Sequence, residues 1–234
     1  MQPEISPPSE GSDGARRTRS HVAAMIDHTV LSPEATRAQV ERVAAEAVEQ
    51  GCASVCVQPD QVAFVVSMVG GRIPVCSVVG FPHGATLPRA KAYEAASVVA
   101  LGASEVDMVV SLGPIAEGDL DQVRHDVAVV RESVPDVILK VIVESALWTP
   151  AVLRDVSVAA VDAGADFVKT STGFHPAGGA TPEAVSVMRE AVGRRAGVKA
   201  SGGLRSADAV RAVLDAGADR LGLSATLVVL DGFD

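Results

Sequence analysis

The sequence predicts a single (β/α)8 TIM barrel behind a disordered N-terminal tail, and three observations predict it. A helix–glycine–strand unit recurs along the chain. Eight β-rich runs can be counted in it. The composition suits strands buried on both faces: of 234 residues, 48 % are hydrophobic but only 3 % aromatic. The core must therefore be built from Val, Ala, Leu and Ile, the mixture favoured by parallel sheets covered with helices. The length fits one large α/β domain.

In chain order, residues 1–20 come first. They are rich in Pro, Ser, Gly and charge and nearly free of apolar side chains, so they read as a disordered tail that leaves 21–234 for the barrel. The β-rich runs lie near 24–27, 54–57, 75–79, 105–110, 138–143, 166–169, 198–200 and 220–223. In "AVEQGCASVCVQP", "VVALGASEVDMVVSLG", "AVDAGADFVKTSTG" and "AVLDAGADRLGLSA", an apolar helical stretch passes into a strand through Gly51, Gly102, Gly164 or Gly217. Each is placed where a helix end needs the left-handed conformation. Helix starts are expected at Ser32-Pro33-Glu34, Thr149-Pro150 and Thr181-Pro182-Glu183, each an N-cap hydroxyl followed by proline, and also at Thr86 and Ser206. A doubly wound open sheet is the rival, but it usually has fewer strands and often opens on a GxGxxG turn, which is absent here.

The formal net charge of −9 argues against nucleic acid or an anionic membrane as the main partner. No apolar run reaches the length of a membrane span. Cys52, Cys56 and Cys76 lack CxxC spacing, so neither a disulfide framework nor a structural zinc site is expected, and the thiols fit a reducing cytoplasm. Nothing at the N-terminus points to export. A homodimer is compatible with the sequence, which does not fix the oligomeric state.

A barrel carries its chemistry at the C-terminal ends of its strands. The residues there are Asp27, Thr29, Cys56, Phe81, His83, Asp107, Glu144, and those in 169–173, 199–203 and 222–224. Lysine usage picks among them. Only four of the 20 basic residues are lysine, namely Lys91, Lys140, Lys169 and Lys199, and three of these fall in predicted strands. Arginine cannot lose its proton or act as an amine nucleophile. Lys169 and Lys199 belong to neighbouring strands, where repulsion and desolvation are expected to work against both charges. A neutral amine would attack an aldehyde, and the resulting iminium withdraws electrons from the adjacent carbon. The structural alternative is that these lysines bond carbonyls or pair with Glu144 and Asp107, and for Lys140, placed lower in the barrel, that reading is preferred. Asp107 is a candidate for proton transfer and for holding Lys199, with a plain ion pair as its alternative.

Three turns, "TSTG", "ASGG" and "GLSA", follow strands six to eight. Glycine lets backbone N–H groups approach an oxyanion closely, and barrels often bind phosphate there. Gly173, Gly202, Gly203, Gly222 and Ser224 are the candidates. Arg205 is nearby, with a place on the helix surface as the other reading.

Together, "IDHTVLSPEAT", "SVCVQP", "VVGFPHGA", "EVDMVV", "LKVIVES", "ADFVKTSTGF" and "VKASGGLRSADA" resemble the deoxyribose-phosphate aldolase family, from about Met25 to Ser224. The resemblance implies a class I aldolase on a (β/α)8 barrel. Such an enzyme cleaves 2-deoxy-D-ribose 5-phosphate to acetaldehyde and D-glyceraldehyde 3-phosphate without metal or other cofactor. It implies Lys169 as the Schiff-base lysine, Lys199 as the lysine that perturbs it, and Asp107 as the proton relay. It places Asp27 and Thr170 near the sugar hydroxyls, and Gly203 and Ser224 at the phosphate. Thr29 and Cys56, at strand ends, complete the expected substrate-binding set. Departures are Ser111 where relatives often have Asn, Ala225 in place of a frequent second Ser, and the absence of a longer tail ending in Tyr.

The alternatives are a metal-dependent aldolase using His28, His83 and His175, a phosphate-binding decarboxylase or synthase barrel, and a non-catalytic phosphosugar-binding barrel in which Lys169 is only an anion contact. Cys56, if exposed, would add to unsaturated aldehydes. The other reading is a small buried apolar residue.

Overall fold

A computed structural model describes residues 17–234. Eight parallel strands close into a barrel in sequence order. They are β1 (Ile26–Val30), β2 (Ser54–Val57), β3 (Val75–Val79), β4 (Glu105–Val109), β5 (Ile138–Ile142), β6 (Phe167–Lys169), β7 (Gly197–Ser201) and β8 (Arg220–Leu223). The helices are α1 (Arg19–Ala23), α2 (Arg37–Gln50), α3 (Val62–Val69), α4 (Pro88–Ala100), α5 (Leu112–Glu117), α6 (Leu120–Ser133), α7 (Pro150–Asp162), α8 (Pro182–Val192), α9 (Ala207–Asp215) and α10 (Thr226–Leu230). β1 closes the ring against β8, with Asp27 opposite Gly222.

Most of the expected tail lies outside the described residues. Residues 17–20, also expected within it, are held in place. Arg17 pairs with Asp215, Arg19 pairs with Asp231, and Thr18 caps α1. The first strand runs from Ile26 rather than from residue 24.

Local chemistry starts the helices where Thr149, Thr181 and Ser206 accept backbone N–H bonds ahead of α7, α8 and α9. Two expected starts differ. α2 begins after Thr36, which forms a reciprocal capping box with Gln39 and so displaces Ser32-Pro33 into a turn. α4 starts after Leu87 with Pro88 at its first position and no side-chain cap, so Thr86 is not its N-cap. Gly51 ends α2 in the left-handed conformation (φ 66°). Gly102, Gly164 and Gly217 follow one residue after their helix caps, at φ 102–108°.

Side chains alternate across each strand. One set, including Val55, Val106, Met108, Val141 and Leu221, packs under the helices in a large apolar cluster. The other points into the barrel and is largely polar: Asp27, Glu105, Asp107, Lys140, Lys169, Lys199 and Arg220 bond to one another there. Gly197 makes room for this filling, because a Cβ on it would lie 2.2 Å from the Phe167 ring.

Candidate active site

A cleft of about 410 Å³ opens at the C-terminal ends of the strands. Seven expected residues line it: Thr29, Lys169, Gly173, Gly202, Gly203, Gly222 and Ser224. Lys169 ends β6 and is 3 % exposed. Asp107 and Lys199 lie just beneath, fully buried.

Asp107 is the hub of this inner layer. Its Oδ2 accepts from Lys169 Nζ at 2.7 Å and from Lys199 Nζ at 2.6 Å, and its Oδ1 accepts from Lys140 Nζ at 2.9 Å. Burial alone would raise the Asp107 carboxyl, but Lys140, Lys169 and Lys199 outweigh it and hold the group well below the usual carboxylate range. Lys199 also donates to Asp27. The expected effect on Lys199 is reversed. Burial alone would depress its ammonium, but Asp107 and Asp27 outweigh burial and push it above the ordinary lysine value. Repulsion between the two lysines is offset by Asp107, which bonds both, and by Asp27, which bonds Lys199 alone of the two. Lys140 sits one layer deeper, bonded to Glu105 at 2.5 Å as well as to Asp107, which is the structural role preferred for it.

Three expected substrate contacts do not line the cleft. Asp27 is fully buried, accepting from Ser54 Oγ and Arg220 Nε at 2.7 Å each, so it supports Lys199 from below. Cys56 is fully buried among Leu31, Cys76 and Val78. Thr170 is fully buried and staples β6 to β7: its hydroxyl donates to Ser201 O at 3.1 Å and accepts from Ser201 N at 3.0 Å. His28, expected at the mouth, points outward instead and bonds Glu46 and Thr226. All three cysteines are free and buried. Two groups of possible metal ligands, Cys56–Cys76–Asp107 and Asp27–Cys76–Glu105, have ligand atoms within 4.8 Å of one another. Every carboxylate in them is already bound by a lysine or arginine.

The other end of the cleft suits an anion. Gly173, Gly202 and Gly203 adopt φ of 80°, 84° and 79°, a conformation that glycine reaches without strain. Their N–H groups find no acceptor among the described residues. Arg205, left open by the sequence, also lines the cleft, and its guanidinium makes no ion pair among the described residues. The sequence reading missed the support behind this loop. Glu144 is buried in the left-handed region (φ 53°), and its carboxylate accepts from Thr172 N at 3.3 Å and Thr172 Oγ at 2.7 Å. A lone glutamate after a strand gives no sequence signal of that geometry.

A family model described as DeoC/LacD family aldolase matches residues 21–227. The chain belongs to this family. It is an aldolase, and so a lyase. It is similar to the deoxyribose-phosphate aldolase of Mycolicibacterium paratuberculosis, at 55% identity over 219 residues, covering 92% of this chain and 98% of that protein. To the enzyme of the same name from Mycobacterium tuberculosis strain H37Rv it is 53% identical, over 92% of this chain and 97% of that one. Among solved structures, the tetrameric deoxyribose phosphate aldolase of Aeropyrum pernix superposes with a TM-score of 0.85 at 32% identity, over 92% of this chain and 91% of that one. No helix among the described residues of the aldolase is long and apolar enough to cross a membrane.

Proposed function

We propose that this aldolase is of class I: it forms a Schiff base on Lys169 and reversibly cleaves 2-deoxy-D-ribose 5-phosphate to acetaldehyde and D-glyceraldehyde 3-phosphate. One observation carries the reading. The barrel interior holds four cations, Lys140, Lys169, Lys199 and Arg220, against three carboxylates, Asp27, Glu105 and Asp107. Loss of one proton makes the cluster neutral. Arg220 cannot lose it. Lys140 and Lys199 each touch more than one carboxylate. Among the described residues Lys169 pairs with Asp107 alone, and it is the one of the four that lines the cleft.

The chemistry follows from that placement. Neutral Lys169 Nζ adds to the substrate aldehyde, and loss of water leaves an iminium. The iminium draws toward nitrogen the electrons of the bond between the carbon beside it and the hydroxyl-bearing carbon beyond. As that bond breaks, the hydroxyl on the departing carbon loses its proton and becomes the aldehyde of glyceraldehyde 3-phosphate. The remaining enamine takes a proton at carbon, and hydrolysis of the new iminium releases acetaldehyde. Asp107, shared by Lys169 and Lys199, relays the protons, and Lys199 keeps a positive charge beside them. Gly173, Gly202, Gly203, Gly222, Ser224 and Arg205 take the phosphate, and Thr29 lies toward the sugar. The lysine is itself the electron sink, so no metal or organic cofactor enters the scheme. The partners are then small phosphosugars and aldehydes.

Acetaldehyde with borohydride tests this. One reduced ethyl group should appear on the Lys169 peptide and be missing in Lys169→Leu. Folded protein that acquires no adduct would leave a phosphosugar-binding barrel as the better description.

A further inference from the structure

Below the cleft, charged side chains from five strands form a closed ring of alternating sign. Arg220 (β8) donates through Nε to Asp27 Oδ1 at 2.7 Å. Asp27 (β1) accepts on Oδ2 from Lys199 (β7). Lys199 donates to Asp107 Oδ2 at 2.6 Å. Asp107 (β4) accepts on Oδ1 from Lys140 (β5) at 2.9 Å. Lys140 donates to Glu105 Oε2 at 2.5 Å, and Glu105 (β4) accepts on Oε1 from Arg220. Three cations alternate with three anions, and Lys169 hangs from the ring through Asp107.

We infer that Glu105 and Arg220, on the barrel floor and out of contact with the cleft, are positioning residues that set the charge environment of the reacting amine through this ring. The inference rests on the Schiff-base reading of Lys169. The two residues complete the ring on the side away from the chemistry. Glu105 shares the Lys140 ammonium, so Lys140 does not lean on Asp107 alone. Arg220 engages Asp27 Oδ1, which turns Oδ2 toward Lys199. The pair thus keeps Asp107 ionised and available to Lys169, and Lys199 charged. The other side chains facing this region are Ser54 of β2, which donates to Asp27, Cys52 just before β2, whose thiol burial and Asp27 push up, Cys56 of β2 and Cys76 of β3. Cys76 donates to Asp107 Oδ1 at 3.2 Å and accepts from Lys140 at 3.5 Å.

Charge arithmetic gives the effect a sign. Glu105→Gln makes the interior one unit more positive, which favours loss of a proton from the amine. Arg220→Gln makes it one unit more negative, which opposes that loss. The two variants should move the acid limb of the kcat/KM profile in opposite directions, Glu105→Gln to lower pH and Arg220→Gln to higher pH, each by about half a unit or more. The double variant removes a neutral pair and should bring the limb back near its original position, with kcat still lowered. Arg220→Lys keeps the charge and should leave the limb in place. A purely structural role would lower activity and melting temperature with both limbs unmoved, or moved the same way, and that result overturns the inference. Should Arg220→Gln not fold, Glu105→Gln against Arg220→Lys carries the same test, one limb shifted and the other not. Borohydride trapping run alongside separates the two readings. Adducts on Lys169 in every folded variant, with unshifted limbs, remove the ring inference alone. No adduct in the parent protein removes the Schiff-base reading on which it stands.

Discussion

Two regions of this aldolase bury lysine, and only the barrel's reaches the active-site cleft. In the helix layer, Lys91 of α4 is fully buried and donates to Asp126 of α6 at 2.7 Å and to Ser111 Oγ at 3.0 Å. Ser111 passes the bond on to Gly84 O at 3.2 Å. That site has one cation for one carboxylate, and Lys91 is not among the cleft's lining residues. In the barrel, four cations crowd three carboxylates and one amine reaches the cleft. Burial alone therefore does not mark a lysine for chemistry. All four lysines are buried here. What separates them is charge balance and access.

The comparison can be broken most sharply at Asp107. Asp107→Asn should lower kcat by about 10²–10⁴-fold, measured in single turnovers on protein shown by thermal melting to be folded. Turnover near the parent value would reduce Asp107 to a plain ion-pair partner. Lys91→Met should instead leave the turnover of folded molecules intact and cost about 3–5 kcal/mol of stability, because Asp126 is left buried and unpaired. Adding Asp126→Leu should recover most of that loss in urea unfolding. A Lys91→Met protein that melts normally but turns over slowly would erase the distinction between the regions.

Solution pH sharpens the same contrast. The carboxyls of Asp27 and Asp107 are held below their usual range, Asp27 by Lys199, Lys140 and Arg220 against the opposing effect of burial. Their contribution to stability is present above about pH 3.9, the ordinary aspartate value, and is lost as pH falls below it. Lys199 and Lys140 are held above the lysine value, so their contribution is present below about pH 10.4 and lost as pH rises past it. Lys91 has the opposite sign. Burial pulls it down in spite of Asp126, so stability from that group grows as pH rises toward about 10.4. Urea midpoints across pH should show the acid loss unchanged and the alkaline gain removed in the Lys91→Met, Asp126→Leu double variant, which leaves no unpaired carboxyl behind. The smallest effect is expected at the mouth. Arg205→Ala should lower kcat/KM about 10- to 100-fold for a phosphorylated substrate and leave the unphosphorylated aldehyde nearly unaffected. Equal losses for both substrates would place Arg205 outside the anion site.

Much of this architecture is legible in the chain itself, because its signals are local. Thr149, Thr181 and Ser206 cap their own helices, and the spans of β2, β3 and β8 fall where the β-rich runs lie. The glycine turns after β6, β7 and β8 stand at the cleft because their positions follow from the strand ends. Asp27, Cys56 and Thr170 are expected at strand ends and lie buried behind the cleft's lining, because strand alternation fixes which wall a side chain faces while its depth depends on the neighbouring strands. Asp27 pairs in register with Ser54 and Gly222, but its carboxylate is taken up inside the barrel by Ser54, Lys199 and Arg220.

The barrel, the strand-end lysine pair and the glycine-rich mouth can be read from the chain, since periodicity, caps and residue chemistry act over a few neighbours. Which cations the carboxylates hold is set by pairs far apart in the chain. Asp107 meets lysines 33, 62 and 92 positions away, and Asp27 meets one 172 positions away. Closing the barrel is what brings those charges within a hydrogen bond of one another.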